Sequence, residues 1–311
     1  MSQTVAAFQR CPRCGNENSS DSFACNFCGF RLKIERIENV RFFKRYEAEW
    51  IKPYPFYLKF LYLFINPSRA FWDINHKRSK APGGLILLFS SLLYGVIGLA
   101  FFSHFNFVNV NSFSITPFLI TLSFFATFFV FGLVFQFIYF AILIWLFTKG
   151  ANYAVGFSER LETRFGGLGE TKEKFKEAEI SPFSIYKGGT MLQLEASHKF
   201  KMMLCAFTPF LLINAIKALI VLIAFTPVNV SESPINGIFD ETVLDQMFNS
   251  GSWAILDVID AITIAVWVPI LMTLAIRELS NSSTTRVLIP TIIIGVVVAI
   301  FFYFLRPTLF G

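Results

Sequence analysis

Five apolar runs between Pro82 and Arg306 constrain this chain more than anything else in it. They cover Gly83–Ser103, Pro117–Thr148, Met202–Phe225, Trp253–Ile276 and Val287–Leu305. A bilayer core is about 30 Å thick, and about 20 apolar residues at roughly 1.5 Å each cross it as a helix. One soluble core cannot hide five such runs. The predicted fold class is therefore an all-α polytopic membrane protein with five transmembrane helices and a small N-terminal zinc ribbon. The expected layout is a ribbon over 1–30, a basic tether with juxtamembrane amphipathic helices over 31–81, and a five-span membrane domain over 82–311.

Charge sets the expected topology. The net +6 is uneven: 14 Lys and Arg precede Gly83, and nine more fall between Lys149 and Lys201. The loops His104–Thr116 and Thr226–Ser252 hold none, and the second carries Glu232, Asp240, Glu241 and Asp245. Basic residues stay on the cytoplasmic side, so the N-terminus and the Lys149–Lys201 loop are expected inside. Arg277 and Arg286 flank the short fourth loop, also inside. Five spans then leave the C-terminus on the outer side. The basic residues hug membrane edges, which reads as topology and not as nucleic-acid binding. The N-terminus opens on polar residues and cysteines, so the first span is expected to act as its own uncleaved anchor.

Cys11–Phe30 reads CPRCGNENSSDSFACNFCGF. Two Cys-x-x-Cys knuckles, Cys11/Cys14 and Cys25/Cys28, are each followed by glycine. Glycine readily adopts the positive φ that so tight a turn requires. Four thiolates make a closed tetrahedral zinc site, which is structural because no coordination position is open. So short a segment has little core of its own, and metal binding would supply its folding energy without involving the membrane body. A reducing location argues against two disulfides. Cys205, inside the third run, reads as packing or as a lipidation site near the inner interface.

The tether Arg31–Pro53 reads either as a segment touching anionic headgroups or as a solvated linker. Tyr54–Ile65 is apolar but too short to span, hence interfacial or re-entrant. Asn66 then caps a helix starting at Pro67. Its Ala70, Phe71 and Ile74 share a face, while Arg69, Asp73, His76 and Lys77 occupy the rest. That pattern predicts a helix on the inner leaflet, with Arg69, Phe71, Trp72 and Ile74 as its membrane-surface residues. The second run, 32 residues without a charge, is about 48 Å of helix and must tilt or project at its Trp145–Lys149 end.

Charges inside spans are costly and are functional candidates. Lys217 lies about 8 Å below the outer face by helix rise, with Asp257 and Asp260 at roughly 8 and 12 Å. Asn214 shares the face of Lys217, and the two aspartates share another. An interhelical ion pair, a solute or proton path, and exposure at the outer interface all remain open for this cluster. No phosphate loop, zinc-protease helix or nucleophile elbow is present, so no enzyme is expected.

Three stretches, NPSRAFWDI (Asn66–Ile74), KGGTMLQLEASHKFKMMLCAFTPFLL (Lys187–Leu212) and AVWVPILMTLAIRELSNSSTTR (Ala265–Arg286), together resemble the prokaryotic branch of the Yip family. The resemblance covers roughly Tyr54 to Leu305. It implies five spans, a cytoplasmic N-terminus, and a role in membrane organisation or trafficking through a cytoplasmic partner. For the eukaryotic members that partner is a Ypt/Rab small GTPase. Their acidic DLYGP-type motif before the first span is absent here, and their chains lack the ribbon, which points to a microbial, archaeal source. The expected function is a membrane scaffold or adaptor, with the bilayer and a cytoplasmic protein as partners, a small GTPase being one candidate, and homo-oligomers are compatible with it. The rival is a transporter or lipid-handling protein built on Lys217, Asp257 and Asp260.

Overall fold

The computed structural model describes residues 8–19, 22–25, 27–47, 52–77, 80–108, 117–165, 196–231 and 249–310. Five of its helical stretches are long and apolar enough to cross a membrane: Gly83–Phe102, Thr121–Tyr153, Ser197–Ala224, Gly251–Ser280 and Thr284–Phe301. The expected cytoplasmic-loop positions Gly166, Gly167, Gly169 and Thr171 lie outside the described residues, as do Lys187–Gly189 and the acids Glu232, Asp240, Glu241 and Asp245.

In chain order, β1 (Phe8–Arg10) and β2 (Glu17–Ser19) form an antiparallel hairpin. Two short helices follow, α1 (Phe56–Ile65) and α2 (Pro67–His76). The first span is α3 (Gly83–Phe102), and β3 (Phe105–Val108) follows it. The second is α4 (Pro117–Phe165), which does not stop at Thr148 but continues as helix for seventeen more residues. Its continuation is amphiphilic, and helix propensity carries on where hydropathy ends.

The third apolar run is two helices, α5 (Ala196–Leu204) and α6 (Pro209–Ala224), joined by a tight turn at Cys205–Phe207. Pro209 explains the break: it has no N–H to donate and its ring displaces the preceding carbonyl. The strand β4 (Val228–Ser231) comes next. The fourth run is α7 (Gly251–Ile262), a π-helical turn at Thr263–Trp267, and α8 (Val268–Ser280). Here Pro269 is absorbed by widening the preceding turn. The last helix is α9 (Thr284–Phe310).

The chain divides into two compact units. The first comprises Met1–Gly83, Leu143–Ala206 and Pro269–Ile294. Within it α1 packs on α2, and α2 on α5. Gly83 starts α3 against α5, and a Cβ there would collide with the Lys201 carbonyl oxygen and the Leu204 side chain. The hydroxyls of Thr273 and Thr291 meet at 2.7 Å and tie α8 to α9.

The second unit comprises Gly84–Ile142, Phe207–Val268 and Gly295–Gly311. Its core gathers Ile97, Phe101, Val221, Phe225 and Leu256. Phe101 meets Phe225 edge-on at 4.9 Å, and Phe140 stacks on Phe207 at 4.0 Å. The strands β3 and β4 pair in parallel, Phe105 opposite Val228. Both strands fall in stretches expected to be plain loops.

Candidate functional site

Each cysteine knuckle repeats one backbone pattern. The N–H of Gly15 donates to the Cys11 carbonyl, and that of Gly29 to the Cys25 carbonyl, both at 2.9 Å. The N–H groups of Cys11 and Cys25 in turn donate to the carbonyls of Asn16 and Phe30. Both glycines have positive φ, 74° and 70°, as so tight a turn demands. The four sulfurs lie within 4.8 Å of one another and are placed to hold a metal ion. Cys11 and Cys28 are 3.6 Å apart at sulfur, as are Cys14 and Cys25, well beyond a disulfide bond. Burial pushes the Cys25 thiol up, but the N–H groups of Cys28 and Phe27 and the Asn18 amide outweigh it and bring it down to about 6. Burial pushes Cys28 up to about 12. Four touching sulfurs ionise together only with a cation among them.

The ribbon is not independent of the rest of its unit. The Ala24 N–H donates to the Asn281 side-chain oxygen at 2.9 Å, and the Asn281 amide donates back to the Ala24 carbonyl at 2.6 Å. The Arg45 guanidinium lies over the Phe23 ring, 5.0 Å from its centroid. A Cβ on Gly29 would sit 3.2 Å from the Trp72 ring. Ribbon and membrane body were expected to share no core; the second knuckle is nonetheless tied to α2 and to the turn between α8 and α9.

Nor is the tether a solvated linker. Glu38 is buried and pairs with Arg45 at 2.6 Å and Arg31 at 3.7 Å. Arg45 also donates to the Ser282 carbonyl. Glu35 accepts from the Ser283 hydroxyl and, at 2.7 Å, from the Thr284 N–H, so it caps α9 from a distant part of the chain. At the centre is Arg277, fully buried and the largest such side chain among the described residues. It donates to the carbonyls of Phe43 (2.6 Å) and Lys44 (3.4 Å), to the hydroxyls of Thr284 and Ser68 (both 3.1 Å), and to Glu278 (3.3 Å). Arg31, Arg45 and Arg277 are balanced by Glu35, Glu38 and Glu278, so the clasp is neutral. Arg277 was expected only as a loop-flanking charge.

This clasp corrects the reading of α2. Phe71, Trp72 and Ile74 are buried in protein, and on the polar face Asp73 is buried while Arg69, His76 and Lys77 are half-buried. Ser68 donates to the Phe42 carbonyl, Asn75 to the Glu278 carbonyl, and the Asp73 carboxylate accepts from the Tyr54 N–H and pairs with Lys59. The Arg69 guanidinium lies among the rings of Tyr46, Tyr54 and Tyr62, 5.2–5.8 Å from their centroids. An amphipathic pattern marks a surface only where water takes the polar face, and here protein groups take it. The Asn66 side chain makes no helix cap and instead donates to the Tyr46 hydroxyl.

The intramembrane cluster comes together in the second unit. Lys217 donates to Asp260 at 2.8 Å and lies over the Tyr94 ring, with the side chains 7% and 18% exposed. Asn214 donates to the Ser90 carbonyl and hydroxyl at 3.2 and 3.0 Å. Asp257 is one turn before Asp260 and half-buried. Cys205 is buried and donates to the Lys201 carbonyl.

No family model matches this sequence, and no curated protein or solved structure matches it.

Proposed function

We propose that this protein is a non-enzymatic integral membrane scaffold, similar to the Yip family, that presents a zinc ribbon to a cytoplasmic protein partner. One observation carries the reading: the four-cysteine ribbon and its tether are fixed to the ends of α8 and α9 by the Arg277 clasp. A rigid platform is what a docking module needs, because little ordering entropy is then lost on binding. The platform exposes Phe27 (77%) and Ile34 (70%), and Lys33, Arg36 and Arg41 are exposed as well, groups suited to an apolar, acidic partner. Small GTPases are the partners that the Yip resemblance implies. The basic residues of 1–82 and 149–201 support a cytoplasmic N-terminus and an outer C-terminus. Zinc is supported by size: metal–sulfur bonds of about 2.3 Å in a tetrahedron give sulfur–sulfur edges of about 3.8 Å, close to the 3.6 Å contacts of this site.

The test is photocrosslinking from position 27 in native membranes. The scaffold reading expects a crosslinked small GTPase that disappears in Ile34→Asp. Crosslinks to lipid alone contradict it.

A second reading, a solute or proton path, draws on a separate observation. Asn214 Oδ1 and Asp260 Oδ1 are buried and have no hydrogen-bond partner among the described residues. Spare acceptors at this depth suit a bound water or cation. Proton or solute flux in proteoliposomes that stops in Asp260→Asn would favour it.

A further inference from the structure

We propose that the second cysteine knuckle is a metal-dependent latch on the turn between α8 and α9: a thiophilic divalent metal at the cysteines holds that turn in place, and its loss releases it. The inference rests on the reading of the four cysteines as a metal site and adds a regulatory role to it.

The turn is three residues long, Asn281–Ser283, and the N-terminal segment holds all three. Asn281 follows the last residue of α8 with φ +51°, the left-handed conformation asparagine adopts readily just past a helix end. Its side chain makes a two-point contact with Ala24, where the amide matches one peptide unit as a β-partner would. Ala24 immediately precedes the ligand Cys25, so the knuckle fold sets the direction of its N–H and C=O. That fold needs Cys25 and Cys28 drawn together, which thiols alone do not sustain. The Ser282 carbonyl is held by Arg45, whose guanidinium lies over Phe23, two residues before Cys25. Ser283 is held by Glu35, which belongs to the tether and touches no part of the knuckle in these contacts.

The three grips therefore differ in their dependence on the metal. Asn281 depends on it directly, Ser282 only in part, since Arg45 is stacked on Phe23 but also paired with Glu38 of the tether, and Ser283 with the α9 cap not at all. Metal loss should loosen the first part of the turn and leave the start of α9 capped. Gly29 against the Trp72 ring gives the knuckle a second foothold, on α2. The latch so joins metal occupancy to the spacing of two spans without any change in the spans themselves.

The experiment is hydrogen exchange on the full-length protein in nanodiscs, before and after a membrane-impermeant chelator, with metal content measured in parallel. Amides of 281–282 should exchange about tenfold faster once metal is gone, while those of 285–288 stay protected. Asn281→Ala should show the same fast turn with metal still bound, which separates the latch from general unfolding of the ribbon. Asn281→Gly, which keeps the left-handed backbone but loses the side-chain contact, should also be fast. If metal leaves and exchange at 281–282 is unchanged, the latch is wrong and the metal site stands. If the purified protein neither carries nor takes up metal, the metal reading falls and the latch with it.

Discussion

The Arg277 clasp and the Lys217–Asp260 pair bury charge in opposite ways. Arg277 directs its donors to five acceptors, two of them backbone carbonyls of the tether, and Arg31 and Arg45 pair with the neighbouring Glu38. The Lys217 ammonium has one carboxylate oxygen and a ring face, and two nearby acceptor atoms stay unsatisfied among the described residues. A buried charge is tolerated when geometry and hydrogen bonds satisfy it fully; otherwise its desolvation outweighs its Coulombic attraction. By that measure the first cluster is the more complete, although Arg31 Nε and Glu38 Oε2 within it also lack hydrogen-bond partners among the described residues, and the second keeps more capacity to bind something.

Substitutions can break this contrast, the largest effect first. Arg277→Met removes every donor at once and strands Glu278 and two carbonyls, so it should cost about 3–5 kcal/mol. Thermal unfolding in detergent would show it. Arg277→Lys should recover little, because an ammonium cannot reach acceptors arranged for a planar fork. Lys217→Met should cost less, on the order of 3 kcal/mol, since Asp260 keeps some exposure through which water can relax it. Lys217→Met with Asp260→Leu should regain most of that loss. A double variant as unstable as the single one would mean that the pair is not what holds these helices.

The smallest effect concerns pH. His76 stacks on Trp72 at 4.6 Å, and burial first of all pushes its pKa below the ordinary 6.5, with Lys77 and Arg45 adding to this and Glu278 opposing it. The unfolded chain then binds more protons than the folded one below pH 6.5. Stability is thus fully present above that value and declines as pH falls beneath it. His76→Phe should flatten this part of the stability–pH curve relative to wild type, and an unchanged slope would assign it to other groups.

Much of this architecture was legible in the residues. Five apolar runs marked five helical stretches long and apolar enough to cross a membrane, the Cys-x-x-Cys spacing marked a site whose sulfurs do converge, and helix rise alone put Lys217 level with Asp260. What escaped shares one cause: the decisive partners are far apart in sequence. Glu35 caps a helix that begins at Thr284, and nothing local to either residue says so. Arg277 looked like a loop edge because hydropathy falls at Ser280–Thr284, yet the following Glu278 and the Ser/Thr-rich turn are what a buried arginine needs. The polar face of α2 looked wet because its partners Phe42 and Glu278 could not be foreseen. Two misses were more local. FNFV at Phe105 and VNVS at Val228 alternate in strand fashion, but both were masked by their lack of charge.

The central claim is that the N-terminal segment completes the first unit and is not an appendage to it. Thermal unfolding of the full chain against a chain beginning at Lys52, in the same detergent, tests this most directly. Removing 1–51 takes away Glu35, Glu38, Arg45 and the Phe43 and Lys44 carbonyls, leaving Arg277 without two of its five acceptors and Thr284 N–H without its carboxylate. The account predicts a markedly lower unfolding midpoint and a first turn of α9 that keeps the Ser283 cap but loses the Glu35 contact. An unchanged midpoint would contradict it.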